Sequence, residues 1–224
     1  MVLEMIPDRD GREAAFEPLL DDLLELFSPS WVLPERMVDE HPHHRCEVKR
    51  WEIGRAAEEA PDLTRQHADR LIDAAVHDQC RSGIKQLIRP LVEFLGHRWT
   101  QERIIHHVRA GSNAQKVGAT MAWYFSGPGL QYASRDDLAN GIPTPESKAT
   151  LDALSDLRAA YRNAVLAAFL GCEDPETRQD LSLWISLESA DYPDALQDDH
   201  QRAKEIIFAD PEHYRLMLQR SGRS

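Results

Sequence analysis

The chain has 224 residues, 42% of them hydrophobic, enough to bury one substantial core and too few for several unrelated domains. Its formal charge of −12 disfavours nonspecific binding to nucleic acid or to anionic membranes, because both draw on a positive field. Three cysteines, Cys46, Cys80 and Cys172, contain no C-x-x-C pair, which excludes a disulfide framework and a cysteine zinc site.

No apolar run approaches the roughly 18 residues that cross a bilayer, and acids stand where a secretion signal would be positive, so the expected location is the cytoplasm. The charge is unevenly spread. Residues 1–40 carry 3 bases against 11 acids, residues 41–120 carry 13 against 10, and residues 121–224 carry 10 against 17. Eight of the ten histidines also fall in the mildly basic centre, which reads as a solvated face or a binding face.

In chain order, Phe16, Leu19, Leu20, Leu23, Leu24 and Phe27 form one face of a helix over residues 11–27 that ends near Ser28-Pro29. Residues 30–42 read as an irregular connector with at most one short turn. Helices are predicted at about 44–60 and 62–77, with Pro61 at the junction. The stripe Ile84, Leu87, Ile88, Leu91, Val92 and Leu95 predicts another, kinked or restarted at Pro90. After Gly96 come a helix at about 100–109, a Gly-Ser-Asn turn with Ser112 or Asn113 as cap, and a helix at 113–125. Ala114, Val117, Gly118, Met121, Ala122 and Phe125 give that last helix a stripe with small residues inside it, the mark of close helix packing.

Ser126 to Thr144 is rich in Gly, Pro, Asp and Asn and too long for a mere connector. A long helix to about 170 follows, with Leu154, Leu157, Tyr161, Val165, Ala168 and Phe169 inward. Asp174-Pro175 opens the next, and helices at about 194–208 and 210–219 finish the chain. No strand signal survives, so the predicted class is all-α.

Several residues are chemically suggestive. His41-Pro42-His43-His44-Arg45-Cys46 gathers nitrogen and sulfur donors but has no second cluster at ligand spacing, so surface or capping histidines are expected. His106 and His107 are adjacent and point to different sides of a helix. Asp198-Asp199-His200 reads as helix N-terminal charge. Ser126-Gly127-Pro128-Gly129 lacks the Lys-Ser/Thr of a phosphate loop, and no G-x-S-x-G or catalytic-cysteine signature occurs. Tyr124 lies off its apolar stripe directly before the long segment. With Tyr132, Arg135, Asp136 and Asp137 it makes a candidate partner-binding surface.

Two resemblances follow. Leu91-Val92-Glu93-Phe94-Leu95, Ile104-Ile105-His106-His107-Val108, the Gly111-Ser112 break and Val117-Gly118-Ala119 to Ala122 resemble the helix pairs of HEAT-like repeats. Glu173-Asp174-Pro175-Glu176-Thr177-Arg178 resembles the D-x-x-x-R turn opening such a helix, with the aspartate capping and the arginine bridging toward a neighbouring repeat. Residues 84–185 resemble uncharacterised HEAT-like proteins of high-GC bacteria, in keeping with 21 arginines against 5 lysines. The resemblance implies an α-solenoid over residues 44–224, after an N-terminal helix and connector at 1–43, in one domain with a concave binding surface. His44 with His77-Asp78 is similar to the H…HD…D pattern of HD-domain phosphohydrolases, although Gln79-Cys80 replaces the usual hydrophobic-Gly-Lys and no final aspartate stands out.

The expectation is therefore a non-enzymatic, HEAT-like protein-binding scaffold, of an inhibitor or immunity type that masks a basic protein, with no metal and no cofactor. A metal-dependent HD-type phosphohydrolase is the alternative. A DNA-repair enzyme of the HEAT-like alkylpurine glycosylase sort is a third reading, suggested only by the fold and the basic centre.

Overall fold

The computed structural model describes residues 12–38, 41–78, 80 and 83–221. Among them it is all-α, with no strand. α1 (Arg12–Phe27), α2 (Pro42–Glu59), α3 (Pro61–Gln66), α4 (Ala68–His77) and α5 (Lys85–Ala110) form the first half, with a single 3-10 turn at Glu35–Met37 in the connector. α6 (Asn113–Ser126), α7 (Arg135–Ala139), α8 (Pro145–Asp152), α9 (Ser155–Gly171), α10 (Pro175–Ser182), α11 (Gln197–Ala209) and α12 (Arg215–Arg220) complete it.

The apolar stripes become the core. Phe16, Leu20, Leu23, Leu24 and Phe27 of α1 are buried, as are Leu71, Ile72, Ala75 and Val76 of α4. The six residues read as the inward face before 170 are all buried too. α5 is the central element and packs on α2, α3, α4, α6 and α9. It forms the long axis of the packing.

That axis is broken once, at Gly96, whose φ of 85° and ψ of 162° lie outside the helical range. Only glycine adopts such angles without strain. The expected kink at Pro90 is corrected accordingly: Gly96 is the one non-helical residue inside α5, and Pro90 is buried within a continuous turn. Proline there supplies no N–H to the carbonyl of Gln86. Gly54 of α2 abuts that oxygen so closely that a Cβ at residue 54 would lie 2.8 Å from it.

Gly118 is tighter still. A Cβ on it would sit 1.7 Å from the Val76 carbonyl oxygen, so α6 rests directly on the backbone at the end of α4. Ser112 begins α6 with a capping box, its hydroxyl accepting from the Gln115 N–H while the Gln115 side chain accepts from the Ser112 N–H. The Trp123 and Tyr161 rings stack face to face at 4.1 Å and tie α6 to α9.

Other boundaries differ from expectation. The helix expected at 62–77 is split at His67 (φ −111°, ψ 21°), which turns the imidazole edge-on to Phe27 at 6.3 Å. The helix expected from 144 to 170 divides at Leu154 (φ −111°, ψ 11°), a buried residue that anchors the bend. α12 starts only at Arg215, because Asp210 closes a turn first by accepting from the His213 N–H at 3.1 Å. Asp174 does cap α10, accepting from the Thr177 N–H at 2.8 Å. Arg178 donates through Nε and Nη2 to the carbonyl of Cys172, where α9 ends, and its side chain also hydrogen-bonds the Tyr214 hydroxyl, just before α12. A guanidinium satisfies an orphan helix carbonyl well, and this one lies within reach.

Candidate functional site: an exposed loop on a fixed base

Residues 127–144 form a closed excursion. The Thr144 N–H donates to the Gln131 carbonyl at 2.8 Å, and the Gln131 N–H donates to Ser147 Oγ at 3.0 Å. Bonds at the neck and exposed residues between them make an Ω-loop. Its interior holds α7, capped by Ser134, whose hydroxyl accepts from the Asp137 N–H at 3.0 Å and donates to Asp137 Oδ2 at 2.6 Å. Gly141 (φ 66°) then turns the chain, and the Ile142 N–H returns to the Asp137 carbonyl at 2.8 Å.

The root of the loop is fixed as well. The carbonyl of Ser126, the last residue of α6, meets His97 Nδ1 at 2.8 Å and accepts from Gln101 Nε2 at 3.3 Å. Both donors come from α5 just past the Gly96 break, so the break aims them at the α6 terminus.

The loop points its apolar groups outward. Eight large hydrophobic side chains are exposed among the described residues, and four of them, Tyr124, Leu130, Leu138 and Ile142, fall between residues 124 and 142. Exposed apolar groups gathered on one segment commonly mark a contact surface. Of the residues expected at that surface, Tyr124 is 72% exposed, Arg135 and Asp136 face solvent, and Tyr132 is half-buried. Asp137 serves the α7 cap. The aliphatic members Leu130, Leu138 and Ile142 were not foreseen, since an apolar residue in a loop reads first as an anchor packed inward.

The metal candidates do not converge. His41 caps α2, its Nδ1 accepting from the His43 N–H at 3.3 Å, and His44 is exposed. Burial pushes the Cys46 thiol up to about 12, so it stays protonated. His77 closes α4, with Nδ1 2.8 Å from the Asp73 carbonyl. Asp78 instead lies in the core, 2.9 Å from Arg50 Nη1, with both side chains 1% exposed. Among the described residues no group of three or more His, Cys, Asp or Glu is placed to hold a metal ion. The Arg50 guanidinium stands beside Asp78, where the HD pattern would need a cation and its other ligands.

Two buried polar residues were missed from the sequence. Arg50 is four residues from Cys46 and three from Ile53, both fully buried, so it shares their face. His200 was read with Asp198 and Asp199 as helix N-terminal charge, but it is buried, stacks on Tyr192 at 4.5 Å and sets Nε2 2.9 Å from the Ser186 carbonyl. Asp198 and Asp199 do occupy the first turn of α11, as expected.

No family model, curated protein or solved structure matches the chain. No helix among the described residues is long and apolar enough to cross a membrane.

Proposed function

We propose that this chain is a non-enzymatic protein-binding scaffold that presents the 127–144 loop and Tyr124 to a protein partner. The observation that carries the reading is the outward set Tyr124, Leu130, Leu138 and Ile142 on a loop whose neck and root are both hydrogen-bonded. A contact surface held in place before binding loses little conformational entropy on association. Asp136 and the overall charge of −12 favour a basic partner, as an inhibitor or immunity-type protein would have. The HEAT-like resemblance supports the same role, and within the fold it rests on the neighbouring pairs α5 with α6 and α9 with α10.

The test is affinity capture with the wild-type chain and with a Leu138→Asp, Ile142→Asp double variant. The wild type should enrich one basic protein by about tenfold over the variant, equivalent to ~1.4 kcal/mol. Circular dichroism and thermal midpoint should be nearly unchanged, because both side chains are more than half exposed. Equal recovery by the two proteins would remove this surface from consideration.

A further inference from the structure

A second surface feature lies away from the loop. α2 and α5 leave between them an open groove of about 370 Å³, lined by Trp51, Gly54, Arg55, Glu58, Lys85, Gln86 and Arg89. That volume lies at the small end of the range of ligand sites, roughly 300–1,000 Å³.

Its lining is chemically uneven. Trp51 is 64% exposed, although a tryptophan loses much by facing water unless something covers it. On the cationic side, Arg55 is fully engaged, bound by Glu52 and by Glu59. Arg89 holds Glu58 at 3.2 Å with its own side chain 73% exposed, a weak and exchangeable pair. Lys85 makes no ion pair among the described residues, and it stands four residues before Arg89 on the same face of α5.

We infer that this groove is a binding site for a small planar heterocycle bearing an anionic group, of the mononucleotide class. The ring stacks on Trp51, and the phosphate lies between Lys85 and Arg89, displacing Glu58 from the latter. A purely cationic guest meets Lys85 and Arg89, and a purely apolar one leaves both cations without a counter-ion, so neither matches the lining. This inference is independent of the partner reading, which concerns another face.

Titration calorimetry of the full chain with AMP tests it, with adenosine and ribose 5-phosphate as separate arms. AMP should bind saturably with Kd below about 1 mM, and each fragment at least ~5-fold more weakly. Trp51→Ala and Lys85→Ala should each weaken AMP by ~5-fold or more, whereas Trp51→Phe, which keeps a stacking face, should lose less than Trp51→Ala. Both Trp51 and Lys85 are exposed, so these variants fold, and their thermal midpoints provide the check. Absence of saturation by AMP would overturn the proposal. So would ribose 5-phosphate binding as tightly as AMP, or AMP affinity indifferent to Trp51→Ala, since either result would leave only a diffuse attraction for phosphate.

Discussion

Arg50 and Asp78 place two charges in the core with their hydrogen bonding incomplete. Among the described residues Arg50 Nε and Nη2 and Asp78 Oδ2 have no hydrogen-bond partner, and Gly83 packs so close to the guanidinium that a Cβ there would lie 2.5 Å from Nε. Removing one member strands the other, so Asp78→Ala should destabilise the fold by about 3–5 kcal/mol. The apolar double variant Arg50→Met, Asp78→Leu should restore most of that in urea unfolding. Equal losses in single and double variants would show that the pair is not the issue. Burial raises the Asp78 carboxyl to about 6, with Arg50 opposing the rise. The native state therefore holds this proton more tightly than the unfolded chain does, and stability from this group is full below about 4 and lost as pH rises through 6. Glu17 works the other way. A bidentate Arg45 (2.8 and 2.7 Å), assisted by Lys49, holds it at about 2 against the effect of burial, so its contribution is present above the usual carboxylate range and lost as pH falls toward 2. Asp78→Asn should flatten the decline between pH 4 and 6, and Glu17→Gln should flatten the acid limb, each read from urea midpoints across pH.

At the level of helices, two glycines are required for different reasons. Gly118 has ordinary helical angles but no room, so even Gly118→Ala forces a backbone shift, and Gly118→Leu should cost about 3 kcal/mol or more in thermal unfolding. Gly96 has open space around its Cα but positive φ, so Gly96→Ala should cost a smaller ~1–3 kcal/mol through strain alone. A Gly118→Leu chain that melts with the wild type would mean that α6 and α4 do not touch. The close approach at Gly118 was legible because small residues recur on one apolar stripe. The Gly96 break was legible, since the apolar stripe ends at Leu95 and the next helix was expected after Gly96, whereas the proline turn was misjudged because proline interrupts a helix in isolation and here is buried within a continuous one. Breaks at His67 and Leu154 were invisible for a related reason: the apolar phase runs on through them, and the bends are set by contacts distant in sequence. Of the candidate site, the loop boundaries were legible from Gly, Pro, Asp and Asn, while the outward aim of Leu138 and Ile142 depends on which surfaces α5 and α9 already cover.

For the molecule as a whole, the packed helices and the loop should respond separately to cleavage. Trypsin should cut after the exposed Arg135 early, and the nicked chain should remain associated on gel filtration, because α5 and α6 on one side of the cut pack on α9 and α10 on the other. Its melting temperature should stay within about 3 °C of the intact protein. Dissociation of the fragments would mean that the loop carries part of the core. The neck bond between Thr144 and Gln131, 2.8 Å long, has a further consequence for how such a chain can change over time. With the two strands of the neck already side by side, twelve intervening residues can be exchanged, lengthened or shortened at little entropic cost to closure. Loop and packed helices are thus free to diverge at different rates, and a sequence grafted at this point would inherit a ready-made fold.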